Sequence, residues 1–430
     1  MDNFDNLLNS LMRLLAVQSV QSAPCPLSPF GEGVGKALDI FADTAKKLGF
    51  DVHNEGGYYV TADIGEGEPF AVLGHLDTVP FGEGWTHSPL GEIDGGVIYG
   101  RGVMDDKGPL LACLFATAQL LDEGYALTRR IRFFAGGNEE SGWKCAERYA
   151  QLDKWPREGF SPDADFPVIA CEKGVAHLKL TFPLPAPLKE LSAGTRVNVV
   201  PDFCRARLSA PPANAREVSV QERGGEYIVT AHGKPAHGST PQLGENAAHK
   251  VLHALAGVSP RLARLEKALC TLDGSGLGCA LQDEKSGALT SNTGVLQTDK
   301  ESLHAFIDIR YPVTFTQEEI VARIKAALGC AVQVCGAHAP HYVDENSPLV
   351  RGLCEAYTQV TGQSCAPLTI GGATFARVIP GAVGFGPCFP GDAPTIHQKD
   401  ECVSVEKFRL IYRIYKQAIK NMCCKKREIC

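Results

Sequence analysis

The sequence predicts an α/β fold on a central, mostly parallel sheet, interrupted by an inserted α+β domain. Three observations carry that prediction. Apolar runs at 69–75, 130–135 and 167–171 alternate with helical periodicity at about 108–122 and 141–152, and such alternation implies parallel strands covered by helices. From about 176 to 343 the texture changes to half-polar alternation, as in His177-Leu178-Lys179-Leu180-Thr181, Glu226-Tyr227-Ile228-Val229-Thr230 and Ala305-Phe306-Ile307-Asp308-Ile309, which reads as half-buried strands. The first texture then returns. One domain, 1–175 and 344–430, is therefore expected to be split in sequence by a second, 176–343.

The elements follow in order. Leu7, Leu8, Leu11, Leu14 and Leu15 recur at helical spacing, and Leu38, Phe41, Ala45 and Leu48 repeat the pattern until Gly49 stops it. Helical stretches at about 245–256 and 316–328 lie among the strands of the insertion. Beyond it come Leu349 to Thr361, the apolar Ala382-Val383-Gly384-Phe385, and a last amphipathic helix from about 404 to 420.

At 430 residues the chain exceeds one ordinary core, which suits two domains. Hydrophobic residues at 44% and charged residues at 21% are the mix of a globular enzyme. A net charge of -7, with Lys and Arg scattered, excludes a nucleic-acid-tracking surface and argues against a phosphate-bearing partner. The acidic opening Met1-Asp2-Asn3-Phe4-Asp5 is unlike a signal peptide, and no stretch approaches the roughly 18 apolar residues of a membrane span. A cytoplasmic protein without a membrane partner is expected. The 16 cysteines form no Cys-x-x-Cys pair and read as small buried hydrophobes in a reducing compartment. Cys423-Cys424 and Cys430 around Lys425-Lys426-Arg427 leave two readings, a thiolate metal clip or a frayed end with incidental thiols.

Chemistry concentrates where strands give way to loops. After Phe133-Phe134 the chain reads Gly136-Gly137-Asn138-Glu139-Glu140-Ser141-Gly142, and two adjacent carboxylates ionise together comfortably only beside a cation. Taken alone, the pair is also an ordinary acidic turn. In Gly74-His75-Leu76-Asp77, alternate residues of an extended chain share a face, which places Asp77 to take the proton of one His75 nitrogen and orient the other toward a metal. Further ligand types sit in Gly100-Arg101-Gly102-Val103-Met104-Asp105-Asp106-Lys107-Gly108-Pro109, in Pro162-Asp163-Ala164-Asp165-Phe166 and in Thr395-Ile396-His397-Gln398-Lys399-Asp400-Glu401. Each segment is weak by itself. Their joint occurrence after strands is what points to a metal centre.

In this order the motifs resemble the dinuclear zinc exopeptidases of the aminoacylase and succinyl-diaminopimelate desuccinylase superfamily, most closely the peptidase V type of dipeptidase, from the first helix to about residue 420. The resemblance implies a zinc-binding catalytic domain with an inserted lid. It assigns His75 and Asp163 to one Zn2+, Glu140 and His397 to the other, and Asp105 to a bridge, with Mn2+ or Co2+ as possible substitutes. Glu139 would be the general base acting on a zinc-bound water, and Asn138 stands where relatives often carry Asp. In the lid, His237 matches a histidine that steadies the oxyanion, and Arg310 and Asn198 match residues that hold the substrate's carboxylate. Gly371 and Gly372 match a glycine turn lining the substrate's path, although the start of a helix explains them too. The implied activity is hydrolysis of unblocked dipeptides by a monomer, since the peptidase V type carries an enlarged lid and the insertion here is of that order.

Four rival readings arise. An N-acyl amino-acid deacylase would use the same metals, and a catalytically dead binding protein would keep the fold but has no reason to retain all five ligands and the base. Gly31-Glu32-Gly33-Val34-Gly35-Lys36 hints at a phosphate loop, yet Phe30 and Ala37 occupy positions that must be Gly and Ser or Thr. No Gly-x-Ser-x-Gly elbow supports a serine hydrolase.

Overall fold

In the computed structural model, which describes residues 3–426, the leucine periodicities become helices α1 (Asn3–Leu15) and α2 (Glu32–Lys47). Phe4, Leu7, Leu11, Leu14 and Leu15 are buried, as a stripe at i, i+3 and i+4 must be when a helix lies on a core. Gly49, just past α2, takes a φ of 87°, the left-handed turn that commonly ends a helix. The supposed phosphate loop is simply the first turn of α2, where Lys36 pairs with Glu32 one turn back.

Strands β1 (Asp51–Glu55), β2 (Tyr59–Ile64) and β3 (Pro69–His75) follow, then helix α3 (Lys107–Asp122), strand β4 (Arg130–Gly136), helix α4 (Lys144–Leu152) and strand β5 (Glu158–Ser161). Nearly every residue of α3 from Lys107 to Leu120 is buried, so this helix is covered on all sides rather than amphipathic.

The chain divides into two compact units, and the second comprises Cys171–Tyr342 with Thr369–Ala373. Its strands are β6 (Gly174–Pro183), β7 (Leu188–Ala193), β8 (Phe203–Leu208), β9 (Ser219–Arg223), β10 (Glu226–His232), β11 (Thr290–Thr298), β12 (Ser302–Tyr311) and β13 (Ala331–His338). They form one antiparallel sheet in the order β9-β10-β8-β7-β11-β12-β6-β13. Helices α5 (Ala247–Leu255), α6 (Pro260–Leu269) and α7 (Gln317–Leu328) contribute Val251, Leu252, Leu262, Ile320 and Ile324 to the core of this unit. A capping box of Thr316 and Glu319 starts α7.

The first unit comprises Met1–Ala170, Val343–Leu368 and Thr374–Cys430, and is completed by helix α8 (Pro348–Thr361), strand β14 (Gly381–Gly384) and helix α9 (Val405–Cys423). In its sheet β1-β2-β4-β3-β5-β14 are neighbours in that order, with β4, β3, β5 and β14 parallel, β1 and β2 antiparallel at one edge, and Ile169 pairing antiparallel with Gly384 on the other side of β14. The mixed α/β architecture and mostly parallel sheet expected from the sequence are therefore observed.

Two details depart from expectation. The chain after α5 forms a second helix, α6, beyond the 245–256 stretch expected to be helical. Cys354 of α8 and Cys365 just beyond it form a disulfide, with Cα atoms 5.2 Å apart, so the cysteines are not all thiols. Their separation of 11 residues gives no short motif to flag the pair. Cys423 is buried in the first-unit core and Cys424 is half-buried, whereas Arg427 and Cys430 lie outside the described residues.

Candidate metal centre

Parallel strands line up their carboxyl ends, so residues just beyond them converge on one spot. β3 ends on His75, opposite Gly136 at the end of β4, which runs on to Glu139 and Glu140; β5 ends on Ser161 and runs on to Asp163. Asp105 arrives in the loop before α3, and His397 in the loop before α9, where its backbone adopts a φ of 62°. Gly74 permits the approach, because a Cβ there would stand 2.2 Å from Asp106 Oδ2 and 2.9 Å from Leu110.

The five side chains meet within the first unit. Asp105 stands at the middle, Oδ1 2.9 Å from His75 Nε2 and Oδ2 2.8 Å from His397 Nε2. Asp163 Oδ2 lies 3.5 Å from His75 Nε2, and Glu140 Oε1 lies 3.0 Å from His397 Nε2. Two triads result, His75–Asp105–Asp163 and Asp105–Glu140–His397, each with ligating atoms within 4.8 Å of one another.

The partner of His75 differs in one respect from the sequence expectation. Its Nδ1 is 3.0 Å from the backbone carbonyl of Asp77, while the Asp77 carboxylate is 3.6 Å away. A carbonyl only accepts, so Nδ1 carries a proton, and Nε2 is the ring nitrogen turned toward the carboxylates. The Asp77 carboxylate instead receives the backbone N–H of Glu139 at 2.9 Å and of Glu140 at 3.1 Å, which fixes the acidic turn. The chain leaves the strand after His75, which frees the Asp77 side chain for that task.

Electrostatics supports a cation here. Five carboxylates, Asp77, Asp105, Asp163, Glu139 and Glu140, cluster around two imidazoles. Burial pushes Asp163 up to about 6 with Asp105 adding to the rise, and it lifts Glu139 and Glu140 above the usual range with their acidic neighbours. Burial opposes the charged form of His397 as well, yet Asp105 and Glu140 hold it up at about 11. The buried His75 Nε2 has no partner in hydrogen-bonding geometry among the described residues, despite its closeness to Asp105. An enclosed, unpartnered imidazole nitrogen beside converging carboxylates fits a divalent ion with N/O ligands of the zinc type.

Supporting residues surround the site, and of these only Asn138 has a sequence expectation attached to it. Glu401 is fully buried, takes Arg101 Nη1 at 2.8 Å and accepts the backbone N–H groups of Gly102 and Met104, which ties the Asp105 loop to the His397 loop. Asp106 receives the His75 backbone N–H at 3.2 Å. Trp143 Nε1 donates to Glu139 Oε1 at 3.1 Å. The Asn138 side chain pins the turn, bonding Gln21, Ser141 and the Lys144 backbone. An ion pair 300 residues apart in sequence leaves no local signature.

The lid residues named from the sequence are connected within the second unit. Gly238 N–H donates to Asn198 O at 2.8 Å, and His237 Nδ1 lies 2.7 Å from Ser239 Oγ. Arg310, almost fully buried, gives Nη1 to Gly371 O at 2.6 Å. A Cβ at Gly371 would lie 2.7 Å from the Ser239 side chain, whereas Gly372 has more room. Arg310 also makes a two-pronged contact with Asp308, at 2.8 Å for both Nε and Nη2. Burial works to raise Asp308, but His177 and Arg310 together hold it below its ordinary value. Asp308 shares a strand face with Arg310, so the i, i+2 spacing in Asp308-Ile309-Arg310 was the available signal.

Comparison with known proteins identifies the family. A family model described as Peptidase family M20/M25/M40 matches residues 71–421. A Bacillus subtilis (strain 168) protein named "Putative dipeptidase YtjP" is 33% identical, with 97% of each chain covered. A Staphylococcus aureus (strain USA300) protein, "Putative dipeptidase SAUSA300_1697", is 32% identical with the same coverage. Among solved structures, the M20 family metallo-carboxypeptidase Sso-CP2 of Sulfolobus solfataricus superposes with a TM-score of 0.60 at 17% identity, over 98% of this chain and 99% of that one. The dipeptidase Dug1p of Saccharomyces cerevisiae gives 0.61 at 12% identity, over 97% of both. These two likenesses speak to the fold. With the family match over most of its length and full-length relatives above 30% identity, the chain belongs to peptidase family M20/M25/M40.

Proposed function

We propose that this protein is a metal-dependent dipeptidase that hydrolyses unblocked dipeptides at a two-metal centre, with Zn2+ as the ion and Mn2+ or Co2+ as substitutes. The observation that carries the reading is the Asp105 carboxylate, whose two oxygens face two different histidines at 2.9 and 2.8 Å. His75 and Asp163 would hold one ion and Glu140 and His397 the other, with Asp105 shared. When bound, the ions supply Lewis acidity, polarising the scissile carbonyl and lowering the pKa of water to about 7.

The protein's own groups do the rest. Glu139 takes a proton from the attacking water and returns it to the leaving amine. Its raised proton affinity, caused by burial and the acids around it, suits a group that must hold a proton between those steps. Asp77 orients His75 through its carbonyl and both glutamates through its carboxylate. By the resemblance, the second unit, 176–343 in the sequence reading, serves as the lid. His237 steadies the oxyanion, Arg310 and Asn198 take the substrate's carboxylate, and Gly371 and Gly372 line its path. Asp308 orients the Arg310 fork, and Nη1 and Nη2 each keep a second N–H beyond those given to Gly371 and Asp308. The same reading makes the enzyme a monomer of the cytoplasm, which the free cysteines support and the Cys354–Cys365 pair opposes. No described helix is long and apolar enough to cross a membrane.

Glu139→Gln is expected to keep its metal and lose nearly all hydrolysis, whereas Glu140→Gln loses metal as well. Metal analysis and turnover of both purified variants check this, and full activity in Glu139→Gln overturns the mechanism. A free dipeptide is expected to be hydrolysed in preference to its N-acetylated form; the reverse preference selects the deacylase.

A further inference from the structure

Helices α5 and α6 of the second unit carry a second set of metal-ligating side chains. His253 on α5 and Glu266 on α6 face each other with Nδ1 and Oε1 2.7 Å apart, and Cys270, one turn beyond Glu266 at the end of α6, completes a group whose ligating atoms lie within 4.8 Å of one another. His249 lies one turn before His253, and in an antiparallel hairpin that turn meets the Cys270 end of α6. Consistent with this register, the backbone of Leu269 is within hydrogen-bonding reach of the His249 ring. His249 Nε2 is enclosed and has no hydrogen-bond partner among the described residues.

A His–Glu ion pair with an incidental thiol is the simpler reading. A half-exposed pair of that kind contributes little to stability. It explains neither why the Cys270 sulfur lies within 4.8 Å of both partners nor why an imidazole nitrogen is shut away from water one turn along. Tetrahedral zinc requires donors separated by roughly 3.3–3.8 Å, so binding would part His253 Nδ1 and Glu266 Oε1 from their 2.7 Å contact and draw His249 toward the group. One sulfur, one nitrogen and one oxygen are donors of the borderline class that zinc prefers. The half-exposed His253 leaves a path for the ion to enter.

We propose that His253, Glu266 and Cys270 form an additional divalent-cation site of the zinc type, with His249 as its fourth donor, clamping α5 to α6. The site shares no residue with the carboxylate-rich centre, so it stands or falls independently of the proposed activity. Binding replaces the thiol proton of Cys270, which passes to solvent as the metal–sulfur bond forms.

Cobalt distinguishes the two centres, because only this one offers a thiolate. Titrating Co2+ into the chelator-stripped full-length protein is expected to raise a near-ultraviolet sulfur-to-cobalt charge-transfer band that saturates with one ion and is displaced by Zn2+. The band should vanish in Cys270→Ser, and its midpoint should shift by at least about tenfold in His253→Ala and His249→Gln, while the visible cobalt bands of the other centre persist. Because His253 is half-exposed, His253→Ala keeps the test valid even if Cys270→Ser folds poorly. Absence of the band in the wild type, or its survival unchanged in His253→Ala, overturns the proposal.

Discussion

Glu139 has one carboxylate oxygen tethered by the Trp143 indole, and that bond is a means of aiming a base. Trp143→Phe keeps the ring that packs against Phe375 but removes the donor. A hydrogen bond to a charged group is worth about 1.5–3 kcal/mol, so turnover should fall roughly 10- to 100-fold with metal content unchanged. Paired kinetics and metal analysis check this; unchanged turnover would leave Trp143 with packing alone. At this scale the sequence was legible in residue type, since His75, Asp105, Glu139, Glu140, Asp163 and His397 converge in the first unit. Finer partnerships were not legible. Alternation along an extended chain suggested the Asp77 carboxylate as the partner of His75, but the strand ends there and the backbone carbonyl takes that place. Arg101 and Glu401 are loop residues like many others until the fold brings them together.

Element-scale reading succeeded where periodicity was long. The stripe of α1, the buried α3 and the apolar β3 and β4 are all visible in sequence. It failed at short elements. β5 has only four residues, one of them Gly159, and β1 is mostly exposed, so neither offers enough apolar pattern. α6 did announce itself through Ser259, whose side chain accepts the Leu262 N–H, followed by Pro260 at the first helical position. The turn joining β11 to β12 makes an element-scale prediction. Asp299 accepts the backbone N–H groups of Glu301 and Ser302 and pairs with His304 at 2.9 Å. Those bonds, the one to the Glu301 backbone foremost, hold its carboxyl down at about 2. Between that value and the ordinary one near 4 the unfolded chain binds the proton more readily, so stability rises with pH across this window. The stability difference between wild type and Asp299→Asn should be constant above about pH 4 and shrink as pH falls toward 2. Denaturant melts across that range test this, and a pH-independent difference contradicts it.

For the whole molecule, the centre is a liability without its ions. Five carboxylates packed around two imidazoles repel one another, and any cation binding only the folded state stabilises it by mass action, about 4 kcal/mol at a thousandfold excess over Kd. Chelation should lower the thermal midpoint, and added zinc should restore it in a concentration-dependent way. A midpoint indifferent to both treatments argues against a metal centre. Domain texture was legible from the change in strand character, because a parallel sheet buried on both faces and an antiparallel one with a wet face leave different residue patterns. The seam was less so, since Thr369–Ala373 rejoins the second unit without any compositional sign.

Glu140 and His397 are 257 residues apart, with the entire second unit between them. During synthesis the chain emerges with His75, Asp105, Glu140 and Asp163 long before His397 leaves the ribosome. The Glu140–His397 half of the centre therefore cannot close until the chain has been made through the second unit and past residue 397. A chain truncated ahead of residue 397 would keep the Asp105 and Glu140 carboxylates but lack the imidazole that faces them both.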